Sequence, residues 1–262
     1  MERRKDWYDH PEYYEAIFGA DTEKELDFLL QVNARHGNGG KRFLEPACGA
    51  GRLLAEGARR GLKLTGYDLS EAMLAHARAR LSPAERRRVK LHQARMEAFA
   101  PPGLRGQVDL AYSLVSTFRY LDSEEAARAH LSNTRELLAP GGVYVLGFHL
   151  TDYHRDKPEH ERWLGKSGKD KVVCNTREYP PDRKLRRSRM RNRLRVTGPG
   201  KDWLIETDWY FRTYNEAQVR QMFDAVKLQP VATYDFDYRI DHPLPATTDR
   251  LDRVFVLRPV GG

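Results

Sequence analysis

Between residues 41 and 150, short apolar runs alternate with stretches of helical spacing. Phe43-Leu44 and residues 63–67, 89–94, 108–113 and 143–148 read as five strands, too short for helices and bounded by turn residues. Helices fall between them at 53–60, at 71–79 with Ser70 as cap, and at 123–138, ended by Pro140-Gly141-Gly142. Such alternation predicts a mostly parallel sheet covered on both faces. Ahead of it, Leu26, Leu29 and Leu30 recur at helical spacing, Thr22 and Glu25 are placed for a capping box, and Asn38-Gly39-Gly40 stops the helix. After residue 150 the period shortens to two. Residues 171–177, 185–196 and 203–212 read as successive strands, and the turn Thr197-Gly198-Pro199-Gly200-Lys201-Asp202 makes the last two antiparallel. Asn215 caps a helix over 216–225, and strands near 231–238 and 253–257 close the chain.

Composition narrows the class. With 262 residues, 40% hydrophobic and 31% charged, the chain can bury a core, and it has no run near the roughly 20 apolar residues of a bilayer span. The start, Met1-Glu2-Arg3-Arg4-Lys5-Asp6-Trp7, lacks the apolar run of a secretory signal, so a cytoplasmic location without membrane association is expected. Cys48 and Cys174 make neither a disulfide framework nor a zinc cluster, and no metal is expected. The formal net charge of +8 steers anionic partners only where it is concentrated.

The chemistry gathers at Glu45-Pro46-Ala47-Cys48-Gly49-Ala50-Gly51-Arg52, a strand running through a glycine turn into a helix, followed by Asp68 at the end of the next strand. Glycines let backbone N–H groups approach a polar ligand, and an acid about 20 residues on meets ribose hydroxyls. An adenosine-containing cofactor is implied. The third small residue of a dinucleotide fingerprint is replaced by Leu54, which disfavours a pyrophosphate.

These motifs, with Gly66-Tyr67-Asp68-Leu69-Ser70-Glu71-Ala72-Met73-Leu74, Val108-Asp109-Leu110-Ala111-Tyr112-Ser113 and Leu137-Leu138-Ala139-Pro140-Gly141-Gly142-Val143-Tyr144, resemble the class I S-adenosylmethionine-dependent methyltransferases, small-molecule type. The resemblance implies an α/β Rossmann-like fold: a seven-stranded, mostly parallel sheet with helices on both faces and an antiparallel seventh strand beside the fifth. It implies S-adenosylmethionine as donor and S-adenosylhomocysteine as product. Carried over by position, Glu45, Ala47, Gly49 and Gly51 line the methionyl and ribose portion, Asp68 holds the ribose hydroxyls, and Leu69 and Met73 flank adenine. Arg95 stands where many relatives carry an acid before the adenine contact, Met96 supplies an apolar wall, and Ser113 and Leu114 lie beside the methyl donor. The organisation expected is an N-terminal helical lid or cap over 1–38, a core over 39–150 and 212–262, and a small antiparallel β insertion over 151–211 on the acceptor side or at an interface.

The acceptor half has no comparable signature. His149 and His154 follow the fifth strand and are candidates to take a proton, with reference pKa values near neutrality. Tyr8 and Tyr14 in the aromatic start, Phe118, Tyr153, and Tyr210 and Arg212 where the insertion returns to the core are candidate acceptor residues. Arg187, Arg189, Arg191, Arg193 and Arg195 share one face of a strand, with Arg193 opposite Glu206 and Arg191 opposite Asp208. That face is read as a solvated one laced by ion pairs; a small anionic substrate, a subunit interface such as a homodimer, and an RNA backbone are the alternatives. Three functions therefore stand: methyl transfer to a small-molecule nitrogen or oxygen acceptor by in-line displacement, methyl transfer to RNA or protein, and a noncatalytic cofactor-binding or assembly role.

Overall fold

In a computed structural model, which describes residues 2–261, the chain opens on strand β1 (Glu2–Lys5), a 3-10 turn (Trp7–Asp9) and helices α1 (Pro11–Phe18) and α2 (Thr22–His36). The alternating segment runs β2 (Arg42–Pro46), α3 (Arg52–Arg59), β3 (Lys63–Asp68), α4 (Glu71–Arg80), a single turn α5 (Pro83–Arg86), β4 (Val89–Gln93), β5 (Val108–Ser113), α6 (Glu124–Leu137) and β6 (Leu138–His149). Four strands follow without helices, β7 (Glu159–Ser167), β8 (Asp170–Glu178), β9 (Arg187–Gly198) and β10 (Lys201–Arg212), then α7 (Glu216–Ala225), β11 (Leu228–Tyr234) and β12 (Asp252–Pro259).

The larger sheet has the order β11-β12-β6-β5-β2-β3-β4. Strands β2 to β6 run parallel, and β12 lies antiparallel between β6 and β11. This is the expected fold, with the last strand beside the fifth of the parallel set. Both faces are buried, as parallel strands require. Phe43, Leu110 and Val143 pack under Leu26, Leu29, Val32, Leu53 and Leu54, while their neighbours Leu44, Ala111 and Tyr144 pack under Leu131, Met222 and Phe223.

The second sheet has the order β1-β10-β9-β8-β7, with β1 parallel to β10 and the rest antiparallel. Its inner face, Val172, Cys174, Leu194, Val196 and Ile205, packs against Trp7 and Tyr13. The hairpin register is the expected one: Arg193 faces Glu206 and Arg191 faces Asp208. Arg119, on the 3-10 turn Thr117–Tyr120 after β5, joins the two sheets. Its buried guanidinium donates to Glu178 (2.9 Å), Ser188 Oγ (3.2 Å) and the Arg212 carbonyl (3.2 Å), and lies 4.7 Å from the Phe211 ring centre.

Several local expectations need correction. Thr22 makes no capping box: Asp21 is the cap residue of α2, the Thr22 hydroxyl donates to the Gly19 carbonyl, and Glu25 binds Arg52 instead. Strands β1 and β7 carry too many charges to read as strands. They stand at the two edges of the second sheet, and on β7 exposed charged side chains guard the unpaired backbone. Strand β11 ends at Tyr234, so Phe236 and Tyr238 leave the sheet and enter a cleft.

Candidate functional site

Strands β2 to β6 end on the edge where open α/β sheets bind ligands. A cleft of about 1250 Å³ opens there, walled on the far side by the inner face of the second sheet.

The first wall is made of strand ends. Ala47, Gly49 and Gly51 all adopt positive φ (50°, 51° and 69°), turning the chain sharply from β2 into α3. The two glycines differ in reason. A Cβ on Gly49 would meet nothing within 4 Å, so the turn leaves an open cradle, whereas one on Gly51 would lie 2.8 Å from the Ala77 Cβ, so that glycine lets α4 pack close. Asp68 ends β3 and accepts from the backbone N–H groups of Gly49 and Ser70, each at 2.8 Å. Burial raises its pKa and these hydrogen bonds oppose the rise, so the carboxylate is aimed before any ligand arrives. Glu45 is more deeply placed. Its Oε2 accepts from the Tyr112 hydroxyl at 3.0 Å, and burial pushes its pKa up to about 8 although the nearby Arg52 charge opposes this. Arg52, not singled out in advance, spans this corner, donating to Glu25 (2.5 Å) and to Thr22 Oγ1 (3.1 Å).

Leu69, Met73, Arg95, Met96, Ser113 and Leu114 all line the cleft. Arg95 is exposed and turned onto Glu97, whose pKa is held below its ordinary value, against the effect of burial, by a backbone N–H and by Arg95. After β5, Val115 and Ser116 have positive φ (57° and 65°), a strained pair for residues with side chains.

The second wall is made of side chains from distant strands. Glu161, Thr176, Asn192, Met190, Trp209 and Phe211 face the cleft, joined by Tyr8, Tyr14 and Tyr120 from the start and from the turn after β5. The Tyr8 hydroxyl donates to Tyr120 at 2.6 Å, and burial raises the Tyr14 pKa to about 12, so these groups stay neutral. Tyr14 and Phe18 sit on one face of α1 with rings 4.8 Å apart, and both line the cleft. His149 closes the cleft near the end of β6, its Nδ1 2.7 Å from Asp252 Oδ1.

The other acceptor candidates lie elsewhere. Phe118 is fully buried between Phe148 and Tyr214. Tyr210 lies on the outer face beneath Arg187, and Arg212 is bound to Glu124. His154 and Tyr153 line a separate hollow with Arg183. The reason is common to all: sequence adjacency to the sheet edge does not decide which way a side chain points. Of the residues missed, Arg52 stands directly after the glycine turn but its partners Thr22 and Glu25 lie on α2, while Glu161 and Asn192 had no local signal, since their placement depends on pairing between strands far apart in the chain. The cysteines are free and buried in different cores, and burial raises both thiol pKa values. Among the described residues no helix is long and apolar enough to cross a membrane.

Residues 43–142 match the family described as a methyltransferase domain. A dTDP-3-amino-3,4,6-trideoxy-alpha-D-glucopyranose N,N-dimethyltransferase from Streptomyces venezuelae is 30% identical over 141 residues, 53% of this chain and 56% of that protein. The chain spans about half the length of the curated relatives it matches. Among solved structures, a S-adenosylmethionine-dependent methyltransferase from Clostridium acetobutylicum superposes with a TM-score of 0.75 at 15% identity, covering 95% of this chain and 96% of that one. An amino pentose methyltransferase from Micromonospora echinaspora, solved with SAM bound, gives 0.70 at 20% identity over 94% of each chain. At these identities the structural likeness establishes the fold.

Proposed function

We propose that the chain is a class I S-adenosylmethionine-dependent methyltransferase that methylates a nitrogen or oxygen of a small, sugar-like molecule, a reading supported by the methyltransferase-domain match over residues 43–142 and by the fold. The observation that carries this reading is the single cleft of about 1250 Å³ bounded by both walls. It exceeds the range of roughly 300–1,000 Å³ usual for one small ligand, leaving room for donor and acceptor side by side. The relatives named for amino sugars support the sugar-like class.

The cradle beside Gly49, with the preset Asp68 carboxylate, fits an adenosine group and its ribose hydroxyls. Glu45 and Arg52 stand where the charged ends of a methionyl moiety would lie, and an ammonium beside Glu45 would draw its buried carboxyl back toward the ionised form. When bound, the cofactor supplies an electrophilic sulfonium methyl, so the protein's task is to hold the acceptor in line and remove a proton. Tyr8, Tyr14, Tyr120 and Trp209 exclude water from the middle of the cleft. With its Nδ1–H donated to Asp252, His149 keeps its lone pair on Nε2 and accepts the acceptor's proton, passing it to solvent. The lid role expected of residues 1–38 is proposed here only for the segment through α1, since α2 packs into the core through Leu26, Leu29 and Val32, and the acceptor role of the second sheet belongs to the same proposal.

The test is to incubate the protein with S-adenosylmethionine and paired amino and hydroxyl sugars, free and nucleotide-linked, and to look for a methyl mass gain. Product formation lost in His149→Ala, with S-adenosylhomocysteine affinity retained, is the expected result. Neither product nor S-adenosylhomocysteine binding by the wild-type protein would sink the reading.

A further inference from the structure

We propose that the acceptor's reacting group arrives as an ammonium and is received by a polar row of the second sheet, Glu161, Thr176 and Asn192. The proposal rests on the methyltransferase reading above and names the chemistry its acceptor wall selects.

The strand register builds the row. Glu161 on β7 pairs with Thr176 on β8, which pairs with Asn192 on β9, and all three side chains line the cleft. Two residues along each strand the row turns apolar, with Trp163, Cys174 and Leu194 packed under the N-terminal segment. Neighbouring strands lie about 4.8 Å apart, so Glu161 and Asn192 flank Thr176 at a separation that side chains and a small cation bridge.

Two features of the row call for a donor-rich ligand. First, the Asn192 carboxamide oxygen is buried without a hydrogen-bond partner, in a residue only 2% exposed. Leaving a buried acceptor unmade costs about 1–3 kcal/mol, a deficit that a donor in the cleft removes. Second, Glu161 has no ion pair among the described residues, whereas its acidic neighbours are matched: Glu178 with Arg119 (2.9 Å), Asp252 with His149 (2.7 Å) and Glu159 with Arg155 (3.5 Å). Glu161 is exposed at the mouth of the cleft; partial desolvation there raises its pKa, and the charges of Glu159, Glu178 and Asp252 add to this against His149, so a cation in the cleft relieves it. A hydroxyl donates one hydrogen bond, but an ammonium donates three. Only the ammonium can satisfy a carboxylate, an amide oxygen and a threonine oxygen together.

Calorimetric titration with cyclohexylammonium and with cyclohexanol, with and without S-adenosylhomocysteine, isolates this preference from catalysis. The wild-type protein should bind cyclohexylammonium at least about 10-fold tighter than cyclohexanol, and Glu161→Gln should remove most of that margin while leaving S-adenosylhomocysteine affinity unchanged. Asn192→Leu, which keeps the branched shape and heavy-atom count of the side chain but loses the acceptor, should weaken cyclohexylammonium in the same direction. Equal affinity for the two probes, or an undiminished margin in Glu161→Gln, overturns the proposal. Selective ammonium binding by a protein that fails to bind S-adenosylhomocysteine would keep the amine site and remove the methyltransferase reading instead.

Discussion

The two walls of the cleft are built by different means. The wall proposed for the donor is mainly backbone: a glycine turn, the carboxyl ends of parallel strands, and one carboxylate held by two N–H groups at 2.8 Å. The wall proposed for the acceptor is side chains, projected from a sheet whose strands come from residues 159–212 and from the first few residues of the chain. A backbone site is contained in one contiguous stretch and changes little with surface chemistry. A side-chain wall can be rewritten one position at a time on a constant sheet, which is how a shared methyl-donor site can serve different acceptors.

The largest test of this contrast is Asp68→Ala. Loss of charge-assisted hydrogen bonds to a ribose should weaken S-adenosylhomocysteine by about 100-fold or more, measured by calorimetry, while cyclohexylammonium binding stays the same. A matching loss for both ligands would mean that the walls are one coupled unit. Glu45 probes the same wall through pH. Its pKa is raised to about 8 in the fold, so its contribution to stability is fully present below the ordinary carboxylate pKa and is lost as pH rises through 8. Thermal unfolding between those limits should show a decline of at most about 1.4 kcal/mol per pH unit that Glu45→Gln flattens. An identical decline in the variant would assign the dependence to other groups.

The glycines separate binding from packing within a single turn. Gly51→Ala forces a Cβ against Ala77 at a positive φ and should cost about 2 kcal/mol of stability. Gly49→Ala meets open space, so its stability cost should be smaller and limited to the backbone strain, yet the new methyl fills the cradle and should block S-adenosylhomocysteine. If Gly49→Ala binds normally, the cradle is not where the cofactor lies.

The same division decides what could be read from the chain. The turn at Gly49 and Gly51, Asp68 and the Ser70 cap were legible because each is a local backbone requirement carried by neighbouring residues. The hairpin pairing of Arg191 with Asp208 and Arg193 with Glu206 was legible for a related reason: one turn sets the register of two strands. Strand β7 was not, because an edge strand with Glu161 facing a cleft and Arg162 facing outward lacks the apolar alternation that marks a half-buried strand. Tyr210 and Trp209 make the same point in miniature. They are neighbours in sequence, yet one lies on the outer face beneath Arg187 and the other lines the cleft.

The smallest expected effect concerns that outer face. Arg189 and Arg191 share Asp208, Arg193 pairs with Glu206, Arg195 with Asp202, and Arg187 lies over the Tyr210 ring. These pairs are solvent-exposed, so salt and side-chain entropy offset most of their attraction. Three acids set against five arginines offset more than half of the charge, which weakens the motive for an RNA backbone on this face. Arg193→Ala should therefore shift unfolding by less than about 1 kcal/mol and leave methyl transfer and the ammonium preference unchanged. The contrast with Glu161→Gln is sharp because both residues belong to the same sheet, and strand register makes Arg193 the outward neighbour of inward-facing Asn192. A fall in turnover from Arg193→Ala comparable to that from His149→Ala would place functional chemistry on the outer face. It would also end the assignment of acceptor recognition to the inner row alone.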